Sequence, residues 1–190
     1  MVVANHLLIT GPSRGGKSEW AEQRIGELAA SAGITYLATG PTLPDDAAWQ
    51  RRLNRHRQRR PEHWRLLEAS SLSSVSQLLM EGSVCHDDLV LLDSLGGLVA
   101  SGLELDEECW LELQATFVMA LANRPTPVVL VAEEVGWGVV PPTAIGGRFR
   151  DRNGSFTRMC EQHCAESWLV TAGRALPLHQ LAHRLTPPPA

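Results

Sequence analysis

Residues Gly11 to Ser18 read GPSRGGKS and fit the pattern GxxxxGK[ST] in full. A turn of this kind wraps phosphate groups in successive backbone N–H donors, with Lys17 reaching the terminal phosphates and the Ser18 hydroxyl available to Mg²⁺. Lys17 is the single lysine of the chain, against sixteen arginines. Biased codon usage could account for the arginines but not for where the one lysine stands. Asp93 closes the apolar run LVLLD, and Glu133 and Glu134 follow the run VVLVA. Acids at the ends of buried strands beside a phosphate loop can serve the metal or its water. They can also be solvated strand ends, and the sequence does not rank them.

The segment RRLNRHRQRR, Arg51 to Arg60, holds six arginines and one histidine in ten residues. A charge run is usually a solvated face, and one of this sign can also be a nucleic-acid patch. Helical spacing adds a third reading. Arg52, Arg55, His56 and Arg59 fall at i, i+3, i+4 and i+7, which sets a histidine among guanidinium groups on one face. Such neighbours keep an imidazole neutral and bind the anion that a neutral imidazole would attack. Cys160, His163 and Cys164 would share a face of a continued helix, but a second pair of ligands at metal-site spacing is missing. With Cys85 and Cys109 they make four scattered cysteines, read as reduced thiols.

These residues need elements to hold them. HLLIT (His6 to Thr10) reads as a buried strand, and Glu19 to Ala30 as the helix after the phosphate loop. ITYLAT, Ile34 to Thr39, is a second strand. Asp45 and Asp46 cap a helix that runs to about Arg59, and Pro61 closes it. A short strand at Trp64 to Glu68 and a helix at Leu72 to Met80 precede the strand Asp88 to Asp93 and the amphipathic helix Glu107 to Ala122. Then come the strand Pro127 to Ala132, the turn-rich stretch Gly136 to Pro142, a helix from about Ile145 to Cys164, and a strand at Trp168 to Thr171. Trp137 in that turn-rich stretch either meets a large apolar ligand or packs into the core. The alternation implies an α/β fold of the P-loop NTPase class, recombinase-ATPase-like, with a mostly parallel sheet, right-handed crossovers and helices on both faces.

At 190 residues with 44% hydrophobic content, the chain suits one domain, expected over 1–185, with a frayed proline tail at 186–190. The formal charge of −4 argues against nucleic-acid or anionic-membrane partners. No apolar run approaches the roughly 20 residues that cross a bilayer, and the start lacks a secretory leader, so a cytoplasmic protein is expected.

GPSRGGKS, YLATG, RLNRHRQRRPEHWRLLE, LVLLDSLGGLV, VVLVAEEVGWGVVP and RFRDRNG together resemble the bifunctional adenosylcobinamide kinase and adenosylcobinamide-phosphate guanylyltransferase family of cobalamin synthesis. The resemblance spans Leu7 to Gly173. Its most specific parts are His56, Arg60, Pro61, Trp64 and Glu68, in the pattern H-x3-RP-x2-W-x3-E, and the EVGWGVVP and FRD segments.

The resemblance implies phosphorylation of adenosylcobinamide by a nucleoside triphosphate, ATP or GTP, and then transfer of GMP from GTP through a covalent guanylyl-histidine. His56 matches that histidine. Gly11, Pro12, Ser13, Arg14, Gly15, Gly16, Lys17 and Ser18 match the phosphate site. Ala38, Thr39, Gly40, Arg57, Gln58, Arg59, Arg60, Glu68 and Asp93 match positions that contact the guanine nucleotide. A guanine offers two adjacent N–H donors that one carboxylate accepts, so Glu68 or Asp93 can select GTP, while Asp93 is equally a candidate partner of Mg²⁺. Asp93 stands where better-known members have Glu, Glu133 where many have Asn, and Thr157 and Arg158 where many have an Asn-Gln pair. A homotrimer with sites between subunits is also implied. Two other classes stay open: a P-loop kinase or NTPase without guanylyl transfer, and a nucleotide-dependent nucleic-acid binder using Arg51 to Arg60.

Overall fold

Apolar residues at successive positions of the strands take opposite faces, and both faces need cover. The computed structural model describes residues 5–41, 43–80 and 87–185. The expectations for Cys85, the Arg52 side chain and the 186–190 tail lie outside the described residues. Strands β1 (His6–Gly11), β2 (Ile34–Ala38), β3 (Arg65–Glu68), β4 (Leu89–Asp93), β5 (Val128–Glu133), β6 (Cys164–Thr171) and β7 (Arg174–Pro177) form one sheet. Its order is β3-β2-β4-β5-β1-β6-β7. Six strands run parallel and β7 pairs antiparallel with β6.

Leu7, Ile9, Tyr36, Leu91, Val129 and Val131 pack with Ala21 and Ile25 of helix α1 (Lys17–Ala29) on one face. Leu8, Leu37, Val90, Leu92, Val128 and Leu130 face the other way. There they meet helices α3 (Leu72–Met80), α4 (Leu95–Ser101), α5 (Glu107–Asn123) and α6 (Ala144–Glu161). Each fully buried leucine of this kind contributes about 1.5–3 kcal/mol. Phe156 of α6 meets Phe117 and Trp110 of α5 edge to face, at centroid distances of 5.2 and 5.9 Å. The α/β P-loop architecture expected from sequence is the one observed.

Helix α2 (Ala47–Arg59) begins where Asp46 was expected to cap it: the Asp46 carboxylate accepts the Ala48 N–H at 2.9 Å. Three elements escaped the sequence reading. Helix α4 carries Gly96 and Gly97, residues that weaken a helix. Both are set by close approach: a Cβ on Gly96 would run into the Glu133 carboxylate, and one on Gly97 would lie 2.6 Å from the Thr39 carbonyl oxygen. Strand β7 follows Ala172 and Gly173, both at positive φ, a mirror-image turn without the usual Asn-Gly signature. The third is the four-residue helix α7 (Leu178–Leu181).

Helix α6 stops at Glu161, short of the expected Cys164, which is the first residue of β6. Cys160 and Cys164 therefore do not share a helix face. Burial pushes both thiols up, and Cys164 donates to the Cys160 carbonyl at 3.3 Å, the behaviour of packed protonated thiols.

Two predictions arise here. Gly11 sits at φ +152°, and a Cβ there would run into the Val170 carbonyl oxygen on β6. Gly11→Ala is expected to destabilise the protein by about 3 kcal/mol or more, read as a lowered urea midpoint. An unchanged midpoint would show that β1 and β6 can part at no cost.

His6 is buried in β1, where its Nδ1 accepts the Val128 N–H at 3.1 Å. Burial, with smaller contributions from His163 and Arg124, lowers its pKa to about 4 from the usual 6.5. The unfolded chain therefore binds a proton between these values that the folded chain refuses. The stability this confers is complete above pH 6.5 and is lost as pH falls towards 4, by up to about 3 kcal/mol. His6→Asn, which keeps an acceptor for Val128, is expected to flatten that part of the stability–pH curve. The same slope in wild type and variant would assign the effect elsewhere.

Candidate active site

β1 ends against its neighbours in a loop that only particular backbone angles allow. Gly11, Arg14 and Gly16 all have positive φ, and Lys17 opens α1. Gly15 N–H donates to the Pro12 carbonyl at 3.1 Å, and Gly173 N–H of the β6–β7 turn donates to the Gly15 carbonyl at 3.1 Å. On the other side Glu134 N–H donates to the Gly11 carbonyl at 2.8 Å. The loop is thus held from β5 and from the β6–β7 turn. Lys17 is buried, with its Nζ donating to the Pro12 carbonyl at 2.9 Å, so its ammonium is folded over the loop's own cradle. Ser18 is half-buried in the first turn of α1, where helix N–H groups lack intrahelical partners.

A cavity of about 530 Å³ lies between α2 and the ends of β2, β3, β4 and β5. Its walls include Ala38, Gly40, His56, Arg57, Arg60, Glu68 and Asp93, seven of the residues singled out from sequence, together with Tyr36, Ser94 and Glu133. Thr39 is buried behind it, with its hydroxyl donating to the Ser94 carbonyl and accepting the Ser94 N–H. Arg60 stacks on Tyr36, its guanidinium carbon 4.6 Å from the ring centroid. That leaves its N–H edge for anions.

His56 does not stand among unopposed guanidinium groups, as its helical spacing suggested. Arg59 turns to α1, donating to Glu19 at 2.5 Å and twice to Glu22 at 3.1 Å. Burial pushes the Glu22 carboxyl up against that hydrogen bonding. Arg55 is exposed. The His56 Nδ1 lies 3.4 Å from Arg59 Nη2 and 3.8 Å from Asp93 Oδ2. The two contacts select opposite tautomers: an arginine only donates, so its contact needs a lone pair on Nδ1, whereas the carboxylate needs Nδ1–H. Gln58 and Arg59 are off the cavity wall, so they do not join Arg57 and Arg60 there.

The two candidate carboxylates have distinct settings. Asp93 Oδ2 accepts the Tyr36 hydroxyl at 2.8 Å, and burial together with the Asp93 charge pushes that phenol well up, fixing it as a donor. Glu133 accepts the Ser94 hydroxyl on Oε1 and the Gly96 N–H at 3.0 Å on Oε2. In the sheet Glu133 is the register partner of Gly11, and it also lines the His56 cavity, so it borders both halves of the site. In sequence Glu133 was one of three strand-end acids left unranked, and a position where many members of the family have Asn. Tyr36 was missed, although it is the single tyrosine of the chain and sits two residues before the register partner of Asp93. Trp137 is 63% exposed, which removes the reading in which it packs into the core.

A family model described as cobinamide kinase / cobinamide phosphate guanyltransferase matches residues 7–178. The chain is 33% identical to the bifunctional adenosylcobalamin biosynthesis protein CobU of Escherichia coli strain K12, over 88% of this chain and 96% of that protein. The protein of the same name from Salmonella typhimurium is 33% identical over the same shares. The bifunctional adenosylcobalamin biosynthesis protein CobP of Pseudomonas aeruginosa is 32% identical, over 90% of this chain and 95% of that one. Among solved structures, a structural-project protein of Pyrococcus horikoshii OT3 superposes with a TM-score of 0.54 at 8% identity, covering 98% of this chain and 93% of that one. That last likeness is one of fold.

Proposed function

The chain belongs to the cobinamide kinase / cobinamide phosphate guanyltransferase family, and from this premise we infer that its phosphate loop and its His56 cavity serve two successive reactions. In the first, the hydroxyl of adenosylcobinamide attacks the γ-phosphorus of a nucleoside triphosphate and the nucleoside diphosphate leaves. In the second, GMP passes from GTP to the new phosphate, giving adenosylcobinamide-GDP and pyrophosphate. The observation that carries the reading is that His56, Arg57, Arg60, Glu68 and Asp93, drawn from α2, β3, β4 and their flanks, wall one cavity bordered by Glu133 beside the phosphate loop.

For phosphoryl transfer, the loop amides and Lys17 hold the phosphates and offset the charge that develops on the γ-phosphoryl oxygens. Lys17 leaves the Pro12 carbonyl for the phosphate, exchanging a neutral acceptor for an anionic one. Mg²⁺ would add charge neutralisation there when bound, held by the Ser18 hydroxyl and Asp93. Those are hard oxygen donors of the kind it takes, with its remaining positions left to water and phosphate.

For guanylyl transfer, the attacking nitrogen must carry a lone pair. When Asp93, 3.8 Å away, draws Nδ1–H against the competing Arg59 contact, that nitrogen is Nε2, and the carboxylate favours the reactive tautomer. Nε2 forms a P–N bond to the α-phosphorus as pyrophosphate departs, and an oxygen of cobinamide phosphate then displaces the imidazole. Arg57 and Arg60 face the α-phosphate in both steps, and the exposed Glu68 carboxylate at the rim accepts the guanine N–H pair.

One domain over 1–185, a homotrimer and a cytoplasmic location belong to the same reading. No described helix is long and apolar enough to cross a membrane. The arginine run is divided between the cavity wall and the α1 acids, which favours small phosphorylated ligands over a nucleic-acid groove.

The test is incubation with Mg²⁺ and GTP labelled on the α-phosphate, followed by denaturation. Acid-labile, base-stable label on the protein is expected. A blank with GTP bound and intact would remove the transferase half and leave a P-loop kinase.

A further inference from the structure

A second, larger cavity of about 1140 Å³ runs along α6 between the end of β5 and α7. It exceeds the roughly 300–1,000 Å³ usual for small-molecule sites. Glu133 lines both this groove and the His56 cavity, and as register partner of Gly11 it places one end of the groove beside the phosphate loop. Two α6 side chains on the groove wall carry buried polar atoms that have no hydrogen-bond partner among the described residues: Asn153 Oδ1 and Thr157 Oγ1. Asn153 is 2% exposed, and its amide nitrogen donates to the Glu133 carbonyl at 2.7 Å. A carbonyl only accepts, so the orientation of that amide is fixed and Oδ1 is directed away from β5.

Asn153 and Thr157 are four residues apart and so share a face of α6. Together they present an acceptor and a hydroxyl that can donate. A primary carboxamide is the complement of that pair, with its N–H going to Asn153 Oδ1 and its C=O accepting from Thr157. Buried polar atoms are rarely left without partners, and two on one groove wall are groups that a ligand or an ordered water can complete. The loop after β5 starts at this groove, where Arg150 donates to the Gly136 carbonyl at 2.5 Å, and it carries exposed Trp137, Val139 and Val140. A ligand seated here thus meets amide-binding groups on α6 and apolar surface at the rim.

We propose that this groove is the site of the corrinoid acceptor, and that Asn153 and Thr157 hold one carboxamide of its periphery. The identity of the acceptor rests on the kinase reading above; the carboxamide class rests on the two side chains.

The test uses cobinamide itself, titrated without nucleotide by its absorbance and then as acceptor in the phosphorylation assay. Thr157→Val keeps the shape and removes the hydroxyl. It is expected to raise both the Kd and the KM for cobinamide about tenfold or more, with kcat within about threefold. Thr157→Ser is expected to restore them. GTP labelling of the protein needs no acceptor and serves as the measure of folding. An unchanged KM in Thr157→Val, a serine variant as weak as the valine one, or an equal rise in nucleotide KM would each overturn the assignment. If wild-type protein binds cobinamide but does not phosphorylate it, and Thr157→Val binds it more weakly, the kinase reading falls and the carboxamide site stands. If the wild type neither binds nor phosphorylates cobinamide, both fall.

Discussion

His56→Ala is expected to abolish covalent labelling by GTP and to lower GMP transfer to cobinamide phosphate by at least roughly 10³-fold, because the nucleophile is gone and neither Arg57 nor Arg60 can replace it. Phosphorylation of cobinamide is expected to stay within about threefold, since that step uses the phosphate loop and not the imidazole. The asymmetry matters more than the loss. A histidine that merely supported α2 would, on removal, loosen the helix and depress both activities together. Here α2 is tied to α1 through Arg59 and its bonds to Glu19 and Glu22, which His56→Ala leaves in place. Asp93→Asn extends the test. An amide in place of the carboxylate no longer selects Nδ1–H. GMP transfer is expected to fall about 10²-fold with the protein still folded. If labelling survives in His56→Ala, the covalent step belongs to another residue.

The phosphate loop was legible because its signature is contiguous: eight residues carry the glycines, the lysine and the hydroxyl in order, and the strand and helix around them have their own periodicity. The His56 site was legible in a different way. Residue spacing placed arginines around the imidazole, but the partner of Arg59 lies on α1, about forty positions earlier, and nothing in the periodicity of α2 encodes it. Asp93 meets His56 for the same kind of reason, since the strand order brings β4 next to β2 and under α2 only in the folded sheet. Family resemblance supplied what local pattern lacked, because it carries long-range information that a single helix does not. Where both were silent, the missed elements were short or glycine-bearing: α4 over Gly96 and Gly97, and β7 behind an Ala-Gly turn. In each, tertiary contacts outweigh weak local propensity.

Lys17→Ala separates the two halves in the opposite sense. Its ammonium lies folded over the loop, whereas the arginine on that loop, Arg14, is held at positive φ with its side chain exposed. Removing it leaves the amide cradle but no charge to follow the γ-phosphoryl group as it moves, so phosphorylation of cobinamide is expected to drop about 10³-fold. GTP labelling is expected to drop far less, about tenfold, because Lys17 reaches only the departing pyrophosphate while Arg57 and Arg60 face the α-phosphate. Folding should be spared: the hydrogen bond lost to the Pro12 carbonyl is worth about 1 kcal/mol. A chain with one lysine offers an independent readout. An amine-directed reagent can modify only Lys17 and the N-terminus, and bound nucleotide is expected to protect the lysine alone, seen as one missing mass increment on the peptide that contains Ser18. Equal losses in both reactions would mean that a single set of phosphate contacts governs them, and that the His56 cavity cannot hold GTP without the loop. Kinase activity within tenfold of wild type would remove Lys17 from the site altogether.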